Sequence, residues 1–279
     1  MRRASLLLLS FFVLLPACGQ GQPTSLPPAQ LVTGGGLELT EIRRAAVRFL
    51  EAYARSSSNI EALERAVVGQ ELEEWVYWLD VQNQDLALSG DLSIDRLRVL
   101  NVAGDVATVG IDATVTFTLP EGGDLIRRFE SPMMVARQGE SWGVFDATRD
   151  GRSMQESIGL IDPPARDADA GVTVKVGSVF RFTAGTAVNI LVLNESAGPV
   201  RVDPQRSLLQ VGAFPPIRGR ATSTSLQDEM RPGQQVEGMI EFPPIPLERA
   251  PNLVGVALRG RETEGVVVNL PPEAFAPGP

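Results

Sequence analysis

Apolar residues recur at intervals of three and four from Ile42 through Ala45, Ala46, Phe49 and Leu50 to Tyr53, which predicts an amphipathic helix with Thr40 as its N-cap. A second helix is expected where Ser58 and Glu61 form a capping box ahead of Ile60, Leu63 and Val67, with Gly69 ending it. Leu72, Trp75, Val76 and Leu79 mark a third. The period then changes to two. From Val106 to Leu119, residues Ala107, Val109, Ile111, Ala113, Val115, Phe117 and Leu119 share one face, while Thr108, Asp112, Thr114, Thr116 and Thr118 share the other. Turn signals at Ala103-Gly104-Asp105, Pro120-Glu121-Gly122-Gly123 and Gln138-Gly139-Glu140 separate successive strands into an antiparallel meander.

The polar, proline-rich run from Asp162 to Gly171 reads as a linker. Beyond it the helical period is gone. Val172–Val176, Val179–Thr183, Ala187–Asn194, Val200–Asp203, Leu208–Val211, Val236–Phe242, Leu253–Leu258 and Val266–Leu270 read as strands, with turns roughly every ten residues, the rhythm of a β-sandwich. Pro271 to Pro279 is expected to be a disordered tail.

Helices first, then a long-stranded sheet closing on Ser141-Trp142-Gly143-Val144-Phe145-Asp146, resembles the nuclear-transport-factor-2-like fold over Leu37 to Ile161. The resemblance implies a conical α+β domain in which helices cover a curved antiparallel sheet and leave a pocket. Members of that family include cofactor-free cyclases, isomerases and dehydratases, small-molecule binders, and proteins that only mediate contacts. Asn194-Glu195-Ser196, Arg231-Pro232-Gly233 and Gly238-Met239-Ile240-Glu241-Phe242 resemble an immunoglobulin-like module of bacterial envelope lipoproteins. The expected fold class is therefore an α+β cone-like domain over 37–161 followed by an all-β immunoglobulin-like sandwich over 172–270.

The N-terminus carries a different signal. Arg2 and Arg3, an apolar run from Leu6 to Leu15, and Pro16-Ala17 ahead of Cys18 describe a secretory signal peptide over residues 1–17. Leu15-Pro16-Ala17-Cys18 resembles the lipobox of bacterial lipoproteins, which implies cleavage after Ala17 and transfer of diacylglycerol to the Cys18 sulfur. A secreted protein with an idle thiol at Cys18 and a retained membrane helix are the rival readings. The apolar run is far short of the ~20 residues that span a bilayer. Residues 19–36, rich in Gly, Pro, Gln and Ser, then form a tether holding the folded part on the order of 25 Å from the lipid. The expected location is a membrane surface on the extracytoplasmic side.

Composition narrows the chemistry. A net charge of −9 argues against nucleic acid, whose affinity rests on neutralised phosphates. Histidine is absent and Cys18 is the sole cysteine, which excludes His/Cys zinc sites, histidine-dependent triads and an intrachain disulfide. Gly139-Glu140-Ser141-Trp142-Gly143 matches Gly-x-Ser-x-Gly, but it falls in a hairpin and has no histidine to take the serine proton. No metal or cofactor is expected.

One constellation is left as a pocket in the first domain. Asp146 shares a strand face with Trp142 and Val144 and is the best acid candidate, while Tyr53 and Tyr77, the only tyrosines, can supply a hydroxyl. The competing account makes Asp146 a strand-end acid that caps a turn and leaves Trp142 in the core. The chain is thus expected to be a non-enzymatic lipoprotein that binds or scaffolds an envelope protein partner. The alternative is a small-molecule binder or cofactor-free isomerase or cyclase using that pocket.

Overall fold

The computed structural model describes residues 36–83, 90–119, 122–259 and 265–275. The leader, Cys18, the tether up to residue 35, the turn residues Pro120 and Glu121, and Ala276 to Pro279 lie outside the described residues.

Helix α1 (Gly36–Ala54) buries Ile42, Ala45, Ala46, Phe49, Leu50 and Tyr53, the stripe its spacing predicts. It already includes Gly36, so Thr40 is not its N-cap: the Thr40 hydroxyl donates back to the Gly36 carbonyl at 2.8 Å. In α2 (Ile60–Glu64) the cap is Asn59, whose Oδ1 accepts from the Ala62 amide at 3.2 Å. Ser58 donates to the Arg55 carbonyl instead of forming the expected capping box. Gly69, at φ 95°, turns the chain into α3 (Gln70–Asn83).

Strands β1 (Gly90–Ala103), β2 (Val106–Thr118), β3 (Asp124–Gln138), β4 (Ser141–Arg149) and β5 (Arg152–Ser153) form the first sheet, an antiparallel meander in chain order. In β2 the alternation holds: Ala107, Val109, Ile111, Ala113, Val115 and Phe117 are buried. Helix α1 lies across β1 to β4. Phe49 meets Phe129 edge-on at 5.7 Å, and Tyr53 meets Phe117 and Phe129 at 5.6 and 5.2 Å. An ion pair between Arg137 and Glu38 fastens β3 to the first turn of α1.

After α4 (Met154–Ser157) come β6 (Ile158–Asp169), β7 (Val172–Arg181), β8 (Thr186–Asn194), β9 (Arg201–Val202), β10 (Leu208–Val211), β11 (Ile217–Arg218), β12 (Ala221–Thr222), β13 (Gln235–Phe242), β14 (Pro251–Val256), β15 (Leu258–Arg259) and β16 (Val266–Asn269). The second sheet runs β12-β13-β8-β7-β6 and the third β11-β10-β14-β16, with β15 and β9 as a separate pair. Val174, Val176, Ile190 and Val192 from the second sheet share a core with Leu209, Val254, Val256 and Val268 from the third.

The expected fold class does not hold. The molecule is mostly β, built from several antiparallel sheets, and it does not divide into a helix-covered cone and a separate immunoglobulin-like domain. The described residues fall within one compact unit, Leu31–Pro279. Two features explain the difference. Residues 162–169, read as linker, continue strand β6, where Ala165 to Asp169 pair with Val176 to Val172. Pro163 and Pro164 are tolerated because β6 is an edge strand and the register shifts between Leu160 and Ala165. The core beneath α1 also takes in Ile158, Phe180 and Met239, so the two halves share apolar packing. The expected tail likewise begins as a 3₁₀ turn, Pro272–Phe275, with Phe275 buried.

Candidate functional site

A recess of about 410 Å³ opens where the ends of several elements converge: α1, α3, the β2–β3 hairpin, the tip of β4, the β7–β8 hairpin and β13. Helix α1 stops at Ala54, and the chain turns away through Ser56 and Ser57. Apolar side chains at the strand ends are thereby left without a covering helix. Among the described residues seven aromatics line the recess, namely Tyr53, Trp75, Trp78, Phe117, Phe180, Phe182 and Phe242. Tyr53 packs on Trp75 at 5.8 Å, and Phe180 stacks on Phe182 at 6.2 Å.

Its charged groups among the described residues are three arginines, Arg127, Arg149 and Arg220, and one acid, Glu241. Arg149 is half-buried, with its Cζ 4.2 Å from the Phe182 ring centre and 5.5 Å from that of Trp75. It has no ion-pair partner among the described residues. Arg127 lies 3.7 Å from Asp150, longer than a charge-assisted hydrogen bond, so its charge is only partly answered. Arg220 and Glu241 are exposed at the rim and screened by water. A net positive lining stands out in a chain of net charge −9.

The four residues read from sequence as a pocket are not brought together. Tyr53 lines the aromatic recess. Trp142 is buried in a different hollow of about 350 Å³ beside Val68 and Gln138; Arg137 stacks on its ring at 4.8 Å, and its Nε1 has no partner among the described residues. Asp146 borders a third cleft of about 780 Å³, where it accepts from the Ser153 hydroxyl at 2.8 Å and the Gln155 amide at 2.9 Å. Those bonds tie β4 to the start of α4, so Asp146 acts there as a turn and helix-start acceptor. Tyr77 is 46% exposed and donates to Glu237 at 3.1 Å. Partial burial, then the neighbouring Glu237 carboxylate, raise its phenol above the ordinary value of 10.0 and keep it a donor.

The third cleft also holds Arg181, 3% exposed, which donates to the carbonyls of Leu247 at 2.8 Å and Glu156 at 3.0 Å. Burial, with Arg152 nearby, lowers its pKa from the usual arginine value. Among the described residues no group of three or more His, Cys, Asp or Glu is arranged to hold a metal ion, and no helix is long and apolar enough to cross a membrane.

Arg149, Arg127, Phe180 and Phe182 are the site residues that the sequence pattern passes over. The one local signal is the run Phe180-Arg181-Phe182 at the end of β7, with Phe180 inside the strand and Phe182 just past it. Comparison with family profiles, curated proteins and solved structures gives no match to this chain.

Proposed function

We propose that the protein is a lipid-anchored, extracytoplasmic binding protein of the bacterial envelope, and that it works by seating a small, largely apolar ligand in the aromatic recess. The observation that carries this reading is the recess itself: about 410 Å³, walled by aromatic rings and within the size range of small-molecule sites. A non-catalytic role is the better reading of its chemistry. Asp146 and Tyr53 lie in different cavities, and Glu241, the acid that shares the recess with Tyr53, is exposed at its rim and not set against an apolar wall. The lipid anchor rests on the leader and Cys18.

The test uses N-phenyl-1-naphthylamine, a neutral apolar fluorophore, and the full chain carrying Cys18→Ser, which prevents acylation. Energy transfer from tryptophan reports the dye beside Trp75 and Trp78. One saturable site is expected, abolished by Ala187→Trp, which fills the recess wall; circular dichroism and a cooperative urea transition check that this variant is folded. Absence of transfer, or transfer that Ala187→Trp leaves intact, would overturn the reading.

A further inference from the structure

We propose that the ligand of the aromatic recess is an amphipathic anion: an apolar body held among the rings and one negatively charged head held by Arg149. The proposal rests on the binding reading above and adds the class of ligand.

The geometry around Arg149 carries it. The Arg149 guanidinium carbon lies 4.2 Å from the Phe182 ring centre and 5.5 Å from that of Trp75, held over the rings by cation–π attraction. No ion pair among the described residues engages its N–H donors, which leaves them for a bidentate carboxylate, sulfonate or phosphate. A half-buried cation without an ion-pair partner among the described residues is costly unless something supplies the opposite charge. Among the described residues the one acid in the lining, Glu241, is exposed. Arg127, held by Asp150 at 3.7 Å, adds positive potential beside it. The two ring clusters, Tyr53 with Trp75 and Phe180 with Phe182, provide the apolar wall for the body.

Two probes with the same anilinonaphthalene body separate head from body. 8-Anilinonaphthalene-1-sulfonate carries a negative charge and N-phenyl-1-naphthylamine carries none. With the full chain bearing Cys18→Ser at low salt, the sulfonate is expected to bind about 10- to 100-fold more tightly, the range for a hydrogen bond to a charged group. High salt should shrink that advantage and leave the neutral probe unaffected. Arg149→Met, which keeps an apolar stem against the rings, should bring the sulfonate down to the neutral probe's affinity; Arg149→Lys should keep part of the difference. Equal affinities in the unsubstituted recess, or equal weakening of both probes by Arg149→Met, would overturn the proposal while leaving the binding reading in place. Binding of neither probe would overturn both. Displacement of bound sulfonate by dodecanoate assigns the head to an acyl lipid, and displacement by 2-naphthoate assigns it to a soluble aromatic acid. If neither displaces it, the anion assignment fails.

Discussion

Asn189 on β8 donates its side-chain Nδ2 to the Oε1 of Glu74 on α3 at 3.1 Å, joining an early helix to a sheet of the chain's second half. The same oxygen accepts from the Ser178 hydroxyl at 2.7 Å and the Trp78 indole at 2.8 Å. Ser178 is fully buried and Asn189 nearly so, which leaves these donors little access to water. One carboxylate oxygen therefore fixes α3 against β7 and β8, and with it the wall of the aromatic recess that Trp75 and Trp78 provide.

Glu74→Ala is expected to cost about 3 kcal/mol, because it strands several buried donors at once. Glu74→Gln, which keeps an acceptor oxygen, should cost about 1 kcal/mol. Urea unfolding of both variants checks the order. Combining Glu74→Ala with Ser178→Ala should cost less than the sum of the two single changes, since each removes one end of the same bond. Strict additivity would count against the network.

Strict alternation made β2 readable residue by residue, and most strands of the second half were readable from apolar runs between turns. The meander of the first sheet was readable from its turns; what failed was inference about pairing and packing beyond it. Residues 162–169 look like linker because Pro163, Pro164 and four charged side chains suppress the strand pattern, yet an edge strand tolerates both. The recess was illegible for a related reason: Tyr53, Trp75, Phe117, Arg149 and Phe182 come from separate elements, and each taken alone reads as core or surface. Asp146 shows the limit of face arithmetic. It shares a strand with Trp142, but a register shift in β4 between the partners of Met134 and Val135 sends the two side chains to different cavities.

Gly159 is the seat of the C-terminal turn. A Cβ there would stand 2.5 Å from the Phe275 ring and 2.9 Å from the Ala274 carbonyl. Gly159→Ala should expel the Pro272–Phe275 turn while the sheets stay intact, a local loss of about 1–3 kcal/mol. Chymotrypsin under native conditions should then cleave after Phe275 much faster than in the unsubstituted protein, read as loss of the last four residues by mass. In a Phe275→Ala background, which removes that cleavage site, Gly159→Ala should lower the urea midpoint much less than it does in the unsubstituted protein.

The anchor makes its own prediction. If Cys18 carries diacylglycerol, the mature protein partitions into the detergent phase on Triton X-114 separation, and its intact mass exceeds that of residues 18–279 by the acyl groups. Cys18→Ser should move it to the aqueous phase. Detergent partition that survives Cys18→Ser would remove the lipid anchor from the account.

Acid should weaken one identifiable contact. Asp203, 2% exposed, accepts from Arg259 Nε at 2.8 Å. That hydrogen bond, together with the Arg259 charge and the backbone amides of Arg206 and Gln205, lowers its pKa below the ordinary 3.8 despite the opposing effect of burial. A carboxyl that ionises more readily when folded stabilises the fold fully above its unfolded pKa, and loses that contribution as pH falls through the lower, folded value. Asp203→Asn keeps an acceptor and removes the charge, and it should lower Tm by on the order of 3 °C at neutral pH. The gap between the two proteins should hold from neutrality down to about pH 4 and close below it, as the folded carboxyl takes up its proton. A gap that stays constant through that acid range would mean that the Asp203 charge contributes nothing and that only the hydrogen bond matters.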